Sequence, residues 1–185
     1  MDNDAGRYRR FLDGDDTGLR EIIDLYDYGL TLYVNGIVRN PAEAEDIVQD
    51  TFVKLAVRKP RFDGKSSFKT WLFTIARNCA LSYLRRHRVH LADQPIEECI
   101  YLSDGTDLEA HCLKSEQRIL LHKAMKRLHP DYFQVLYLVY FEELDTEEAA
   151  QVMHRSKRQI SDLLYRAKKQ LKTELEKAGF QYEEF

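Results

Sequence analysis

The 185 residues carry 28 Lys or Arg against 31 Asp or Glu, a formal net charge of -3, with 44% apolar residues. That length accommodates one domain or two small ones with a real core, and no stretch approaches the ~20 apolar residues a membrane span needs. Three scattered cysteines (Cys79, Cys99, Cys112) lack CxxC spacing, which argues against a metal site or disulfide framework and for free thiols in a reducing cytoplasm.

The opening MDNDAGRYRRFLDGDD has no apolar run of the signal-peptide kind and reads as loosely held, with Gly14 in a turn. A helix is predicted from near Thr17, with Leu19, Ile22, Ile23, Tyr26, Leu30, Tyr33, Val34 and Ile37 at helical spacing. Asn40-Pro41 breaks and restarts the chain. Asn40 can cap, Pro41 suits the first helical position and Glu43 completes a capping box. The helix that follows turns Ala44, Ile47, Val48, Thr51, Phe52 and Leu55 inward, and Glu43, Asp46, Gln49, Asp50 and Lys54 outward. Lys59-Pro60 ends it.

Phe62 to Arg88 is the most informative stretch. After the Asp63-Gly64 turn, Ser66 or Ser67 can cap a helix whose buried stripe is Phe68, Leu72, Ile75, Ala76, Cys79, Ala80 and Leu84. From Lys54 to Arg88 there are ten Lys or Arg and one acid, Asp63, with Phe62, Phe68, Trp71, Phe73 and Tyr83 among them. Cations track a phosphate backbone and aromatic faces stack on unpaired bases, so this helix suits melted nucleic acid. The alternative on composition is that the aromatics are core and the charges a solvated face.

Residues 91 to 113 then hold six acids and no Lys or Arg, and Pro95 and Gly105 leave no apolar stripe, so a linker is predicted. Helices resume at Ser115 with Ile119, Leu120, Lys123, Ala124 and Leu128, break at His129-Pro130, and continue through Phe133, Leu136, Tyr137, Val139 and Tyr140. Asp145 to Glu148 and Ser156 to Gln159 are two capping boxes, and Gly179 stops the last helix. Two short helices about a turn at His154-Arg155, the second rich in cations, form a helix-turn-helix pattern. Ile160, Leu163, Leu164, Ala167 and Leu171 face its core, leaving Lys157, Arg158, Ser161, Asp162, Tyr165, Arg166 and Lys169 outside. The charge order basic, acidic, basic points to nucleic acid more than the net charge does.

AEDIVQDTFVKL, then F-x-G-x-SSFKTWLFTIARN, then YLRR resembles the second conserved region of bacterial RNA polymerase sigma factors, and TEEAAQVMHRSKRQISDLLYRAKKQLK resembles their fourth. Small size without a folded domain between them resembles the extracytoplasmic-function (ECF) group, over about residues 17 to 178. The resemblance implies an all-α protein of two small helical domains, residues 1–90 and 115–185, joined by an acidic flexible linker at 91–114. It implies a cytoplasmic, non-enzymatic alternative sigma factor without cofactor or metal. Its partners would be core RNA polymerase, promoter DNA and, in many members, an anti-sigma factor.

The resemblance also implies roles. Glu45, Asp46, Gln49, Asp50 and Lys54 would grip the clamp helices of the polymerase's largest subunit, an acidic and amide face meeting a basic one. Phe62, Asp63, Gly64 and Lys65 would capture a flipped base of the minus-ten element, with Asn78 beside the pocket. Ser67 and Lys69 would lie along the melted strand, and Trp71 and Phe68 stand where the family has the aromatic that supports it, though Trp71 could equally be core. Arg77, Arg85, Arg86 and Arg88 would hold phosphates. Arg155, Lys157, Arg158, Gln159, Ser161, Asp162, Tyr165, Arg166 and Lys169 would face the minus-thirty-five duplex. Ser161 replaces a usual cation, Asp162 a small polar residue, and His154 a common glycine, departures that bear on promoter sequence. The acidic linker would thread the polymerase cleft as an RNA-like polyanion.

The rivals are a stand-alone helix-turn-helix regulator, an enzyme and a structural adaptor. The first needs no aromatic loop at Phe62. The second lacks a Gly-rich phosphate loop or HExxH, and the third leaves the segregated cations unexplained. Whether the two halves pack together stays open on sequence alone.

Overall fold

The computed structural model describes residues 3–87 and 120–180, and among them every regular element is helical. The helices are α1 (Asn3–Leu12), α2 (Thr17–Val38), α3 (Pro41–Arg58), α4 (Phe68–His87), α5 (residues 120–127), α6 (Pro130–Tyr140), α7 (Thr146–Met153) and α8 (Lys157–Lys177). Arg88, the acids of the linker, Cys99, Cys112, Ser115 and Ile119 lie outside the described residues.

The start of the chain is not loosely held. Residues 3–12 form a helix whose Tyr8 and Phe11 are buried, against Phe68 and Trp71 of α4. Tyr8 also donates through its hydroxyl to the Pro60 carbonyl at 2.8 Å. Arg7 and Arg10 both reach Glu21 on α2, at 2.9 and 2.7 Å. Two large aromatics on one face therefore dock a segment that its charges alone would leave in water.

The caps form largely as the sequence dictates. The Asn40 side chain accepts from the Glu43 amide, with Pro41 at the start of α3, but the expected box is only half formed, because the Glu43 carboxylate turns to the Tyr83 hydroxyl. Ser67 Oγ accepts from the Thr70 amide at 3.2 Å and so caps α4. α7 and α8 both open in reciprocal capping boxes, Asp145 with Glu148 and Ser156 with Gln159. Gly179, at φ 84°, follows the last turn.

The core is continuous from α1 to α8. α4 buries Phe68, Leu72, Ala76, Cys79 and Ala80 on its expected stripe, but also Thr70, Phe73 and Arg77 on a second face. α6 buries five consecutive residues, Gln134 to Leu138, while Tyr140 stays exposed. A helix buried all round needs neighbours on both sides. Here α6 lies between α8 and α2, and α7 lies along α4, so the two halves pack directly on each other. Tyr137 donates to the Gly29 carbonyl at 3.0 Å, and Arg39 to the Leu128 carbonyl at 2.6 Å.

Candidate nucleic-acid interface

Three surfaces carry the residues singled out in the sequence. The first is the outer face of α3. Its apolar stripe packs inward and leaves Glu45, Asp46, Gln49 and Asp50 exposed in a row. Lys54 differs: it is half-buried, with Nζ 3.0 Å from the Cys79 thiol of α4.

The second surface is the loop before α4 and the helix itself. Asp63 accepts from the Lys65 amide at 3.2 Å, and Gly64 takes φ 72°, which a side chain would strain. That amide bond, with the Lys65 ammonium 3.1 Å away, holds the Asp63 carboxyl below its ordinary range. Phe62 is half-buried, its ring meeting Phe68 at 5.6 Å and Trp71 at 5.3 Å. Trp71 in turn lies on Tyr8. Trp71 is thus both partial core and the floor on which Phe62 is held. Arg85 and Arg86 project from the last turn, where cations suit the negative end of the helix dipole.

The middle of α4 is covered by the other half of the chain. Glu148 of α7 accepts from Ser67 Oγ at 2.8 Å and Thr70 Oγ1 at 3.1 Å. Lys69 Nζ lies 2.8 Å from the Glu142 carboxylate and 2.7 Å from its carbonyl. Arg77 is 8% exposed and donates from Nε to Gln134 Oε1 at 2.8 Å. Burial pushes the Tyr33 hydroxyl well above its ordinary range, so it stays protonated and donates to the same oxygen at 3.3 Å. Asn78 Oδ1 lies 3.3 Å from His154 Nε2. Sequence reasoning did not find Gln134, Glu142 or Glu148 as partners of α4; Gln134 inside an apolar run was the available signal.

The third surface is the helix-turn-helix. Ala149, Ala150, Val152 and Met153 of α7 meet Ile160 of α8 in the core. His154, where a glycine is common, adopts φ 52° in the turn, and the Arg155 amide donates to the Ala150 carbonyl at 2.9 Å. Arg155 does not project outward: it is half-buried and pairs with Asp131. Lys157, Arg158, Gln159, Ser161, Asp162, Tyr165, Arg166 and Lys169 are all exposed on one end and side of α8, Tyr165 at 72%. They present donors, one acceptor acid and an aromatic, the chemistry that reads base edges and phosphates.

Residues 28–89 match the family model for sigma-70 region 2, and residues 118–171 the model for sigma-70 region 4. The ECF RNA polymerase sigma factor SigM of Bacillus subtilis is 29% identical over 154 residues, 82% of this chain and 91% of the relative. The sigma-H factor of Pseudomonas aeruginosa is 27% identical over 176 residues, 91% of each chain. The chain belongs to the ECF group of RNA polymerase sigma factors. A solved sigma factor RpoE, in complex with the anti-sigma factor NepR from Bartonella quintana, shares the fold: TM-score 0.68, 24% identity, 85% of this chain and 96% of that one. As an alternative sigma factor the protein directs promoter-specific transcription by RNA polymerase, and the stand-alone regulator is not favoured. In this sigma factor the loop and α4 fall in region 2, and α7 with α8 in region 4.

Proposed function

We propose that this sigma factor divides its work by surface, within domains of residues 1–90 and 115–185 and a linker at 91–114. The α3 face of Glu45, Asp46, Gln49 and Asp50 meets the basic clamp helices of the polymerase, with Lys54 and Cys79 bracing it from behind. The α8 face, from Lys157 to Lys169, reads the upstream element as duplex, with Arg155 setting the turn through Asp131. Phe62, Asp63 and Lys65, with Ser67, Lys69, Trp71, Arg77, Asn78, Arg85, Arg86 and Arg88, take the downstream element as melted strand. Capture of a flipped base offsets the few kcal/mol of unstacking it, so opening needs no catalytic chemistry in this chain.

The observation that carries this reading is Phe62, a half-buried ring held by Phe68 and Trp71 beside an exposed turn in the basic region. Replacing Phe62 by Ala should abolish promoter opening, read by permanganate footprinting with reconstituted holoenzyme, while sparing duplex binding. Intact opening in Phe62→Ala would remove the strand-capture role.

As a partner of RNA polymerase, this sigma factor acts in the cytoplasm, where that enzyme works. An anti-sigma partner fits as well, since the solved RpoE that shares this fold is held by one.

A further inference from the structure

We propose that the described arrangement is a self-masked state: region 4 covers the strand-binding part of α4 and leaves the polymerase face of α3 and the duplex face of α8 uncovered. The inference rests on the surface assignment above.

The seam consists of polar groups taken from α4. The Glu148 carboxylate sits on Ser67 and Thr70 at the α4 N-terminus, and the Glu142 carboxylate and carbonyl hold Lys69. Hydroxyls, an ammonium and a helix N-terminus are the donors that phosphate oxygens take, so two carboxylates occupy the places a strand would fill. Asn78 and Arg77 are engaged by His154 and Gln134 in the same way. By contrast Asp46, Gln49 and Asp50 are exposed, as are the contact residues of α8 from Lys157 to Lys169.

The sequence is shaped for this contact. Gly29 lies in the interior of α2 and Gly36 in its last turn, and glycine disfavours helix. A Cβ on Gly36 would fall 1.8 Å from the Phe133 ring of α6, and one on Gly29 would fall 2.8 Å from Glu142 Oε1. Gly36 makes room for region 4; at Gly29 the neighbour is the end of a flexible side chain, which can give. The Phe133 ring stacks on Tyr137 at 5.6 Å, so moving it aside gives up that stack.

The state is also built to open. Arg77 is buried against a neutral amide, and a buried charge without a carboxylate partner is costly. Polymerase can therefore engage α3, and duplex can engage α8, before the halves separate; melted strand cannot be held until they do.

Gly36→Ala tests this, because Gly36 lies outside every assigned contact and alanine favours the helix. Two measurements on the full chain are needed: the radius of gyration by small-angle X-ray scattering, and binding of a fluorescein-labelled mixed-sequence DNA as single strand and as duplex. Gly36→Ala should expand the particle and raise single-strand affinity about tenfold or more, as expected when a masked state gives up its population, with duplex affinity unchanged. Gly36→Leu should do the same more completely, with helical circular dichroism intact in both. An unchanged radius in both variants would overturn the masked state. Expansion without any gain in single-strand binding would overturn the strand surface on α4 and with it the masking, while leaving the packing of the halves.

Discussion

Arg77 of α4 and Gln134 of α6 stand 57 residues apart in sequence and meet at 2.8 Å, a guanidinium donating to an amide oxygen inside the protein. Tyr33 of α2 donates to the same oxygen, so one side chain from region 4 satisfies two donors from region 2. Replacing Gln134 by Ala leaves both without this acceptor. The unfolding free energy should fall by about 1–3 kcal/mol, read by urea denaturation. A change within error would mean that water already replaces the amide.

Tyr8 makes the corresponding test for α1. Tyr8 is 1% exposed and ties α1 to α4 and to Pro60. Tyr8→Ala should cost about 3–5 kcal/mol, the range for emptying a large aromatic site. Tyr8→Phe, which keeps the ring and loses one hydrogen bond, should cost only about 1 kcal/mol. Equal losses would place the stabilisation in the hydroxyl and not in the ring.

That helix shows where sequence reading ran out. α2, α3, α4 and α8 announce themselves by long apolar stripes, α3 and α4 by caps as well, and the helix-turn-helix by two boxes in order. α1 has only Tyr8 and Phe11 as buried apolar anchors, amid Gly6, Arg7, Arg9 and Arg10, too few for a period to emerge. The contact between halves is hidden for another reason. Its key groups, Ser67, Thr70, Arg77, Gln134 and Glu148, are polar, and polar residues on a stripe's far side read as solvent-facing until the partner is seen. The exposed faces of α3 and α8 were legible because burial of the opposite face leaves no other direction for their polar side chains.

Two aspartates at helix starts, Asp145 before α7 and Asp15 before α2, set a pH dependence. Asp145 accepts the amides of Glu148 and Glu147, which hold its carboxyl below its ordinary range, and the Thr17 hydroxyl and amide do the same for Asp15. Folded values below the unfolded ones mean that unfolding takes up protons. This stability is complete above the unfolded aspartate pKa of about 3.9 and is lost as pH falls through the folded values. The melting temperature should therefore fall on acidification through that window, and fall less in Asp145→Asn. A separate variant, Ser156→Ala, should cost about 1 kcal/mol at neutral pH by loss of the α8 cap.

On α8 the exposed Arg158 and Asp162 should act in opposite senses. Arg158→Ala should weaken binding to all duplexes alike and lower the salt slope by about one unit. Asp162→Asn should instead strengthen non-specific binding by removing a charge that repels phosphate, and relax base preference at one position if the carboxylate accepts from a cytosine. Anisotropy titrations across a salt series separate the two. Identical slopes in wild type and Arg158→Ala would take that arginine off the backbone.

Copurification tests most directly whether the exposed α3 row engages RNA polymerase. Tagged protein should retain core RNA polymerase, and a variant with Asp46, Gln49 and Asp50 all replaced by Ala should lose it while keeping its helical content and its duplex binding through α8. Equal retention by wild type and variant would contradict the assignment of the polymerase contact to α3, whatever the rest of the chain does with DNA.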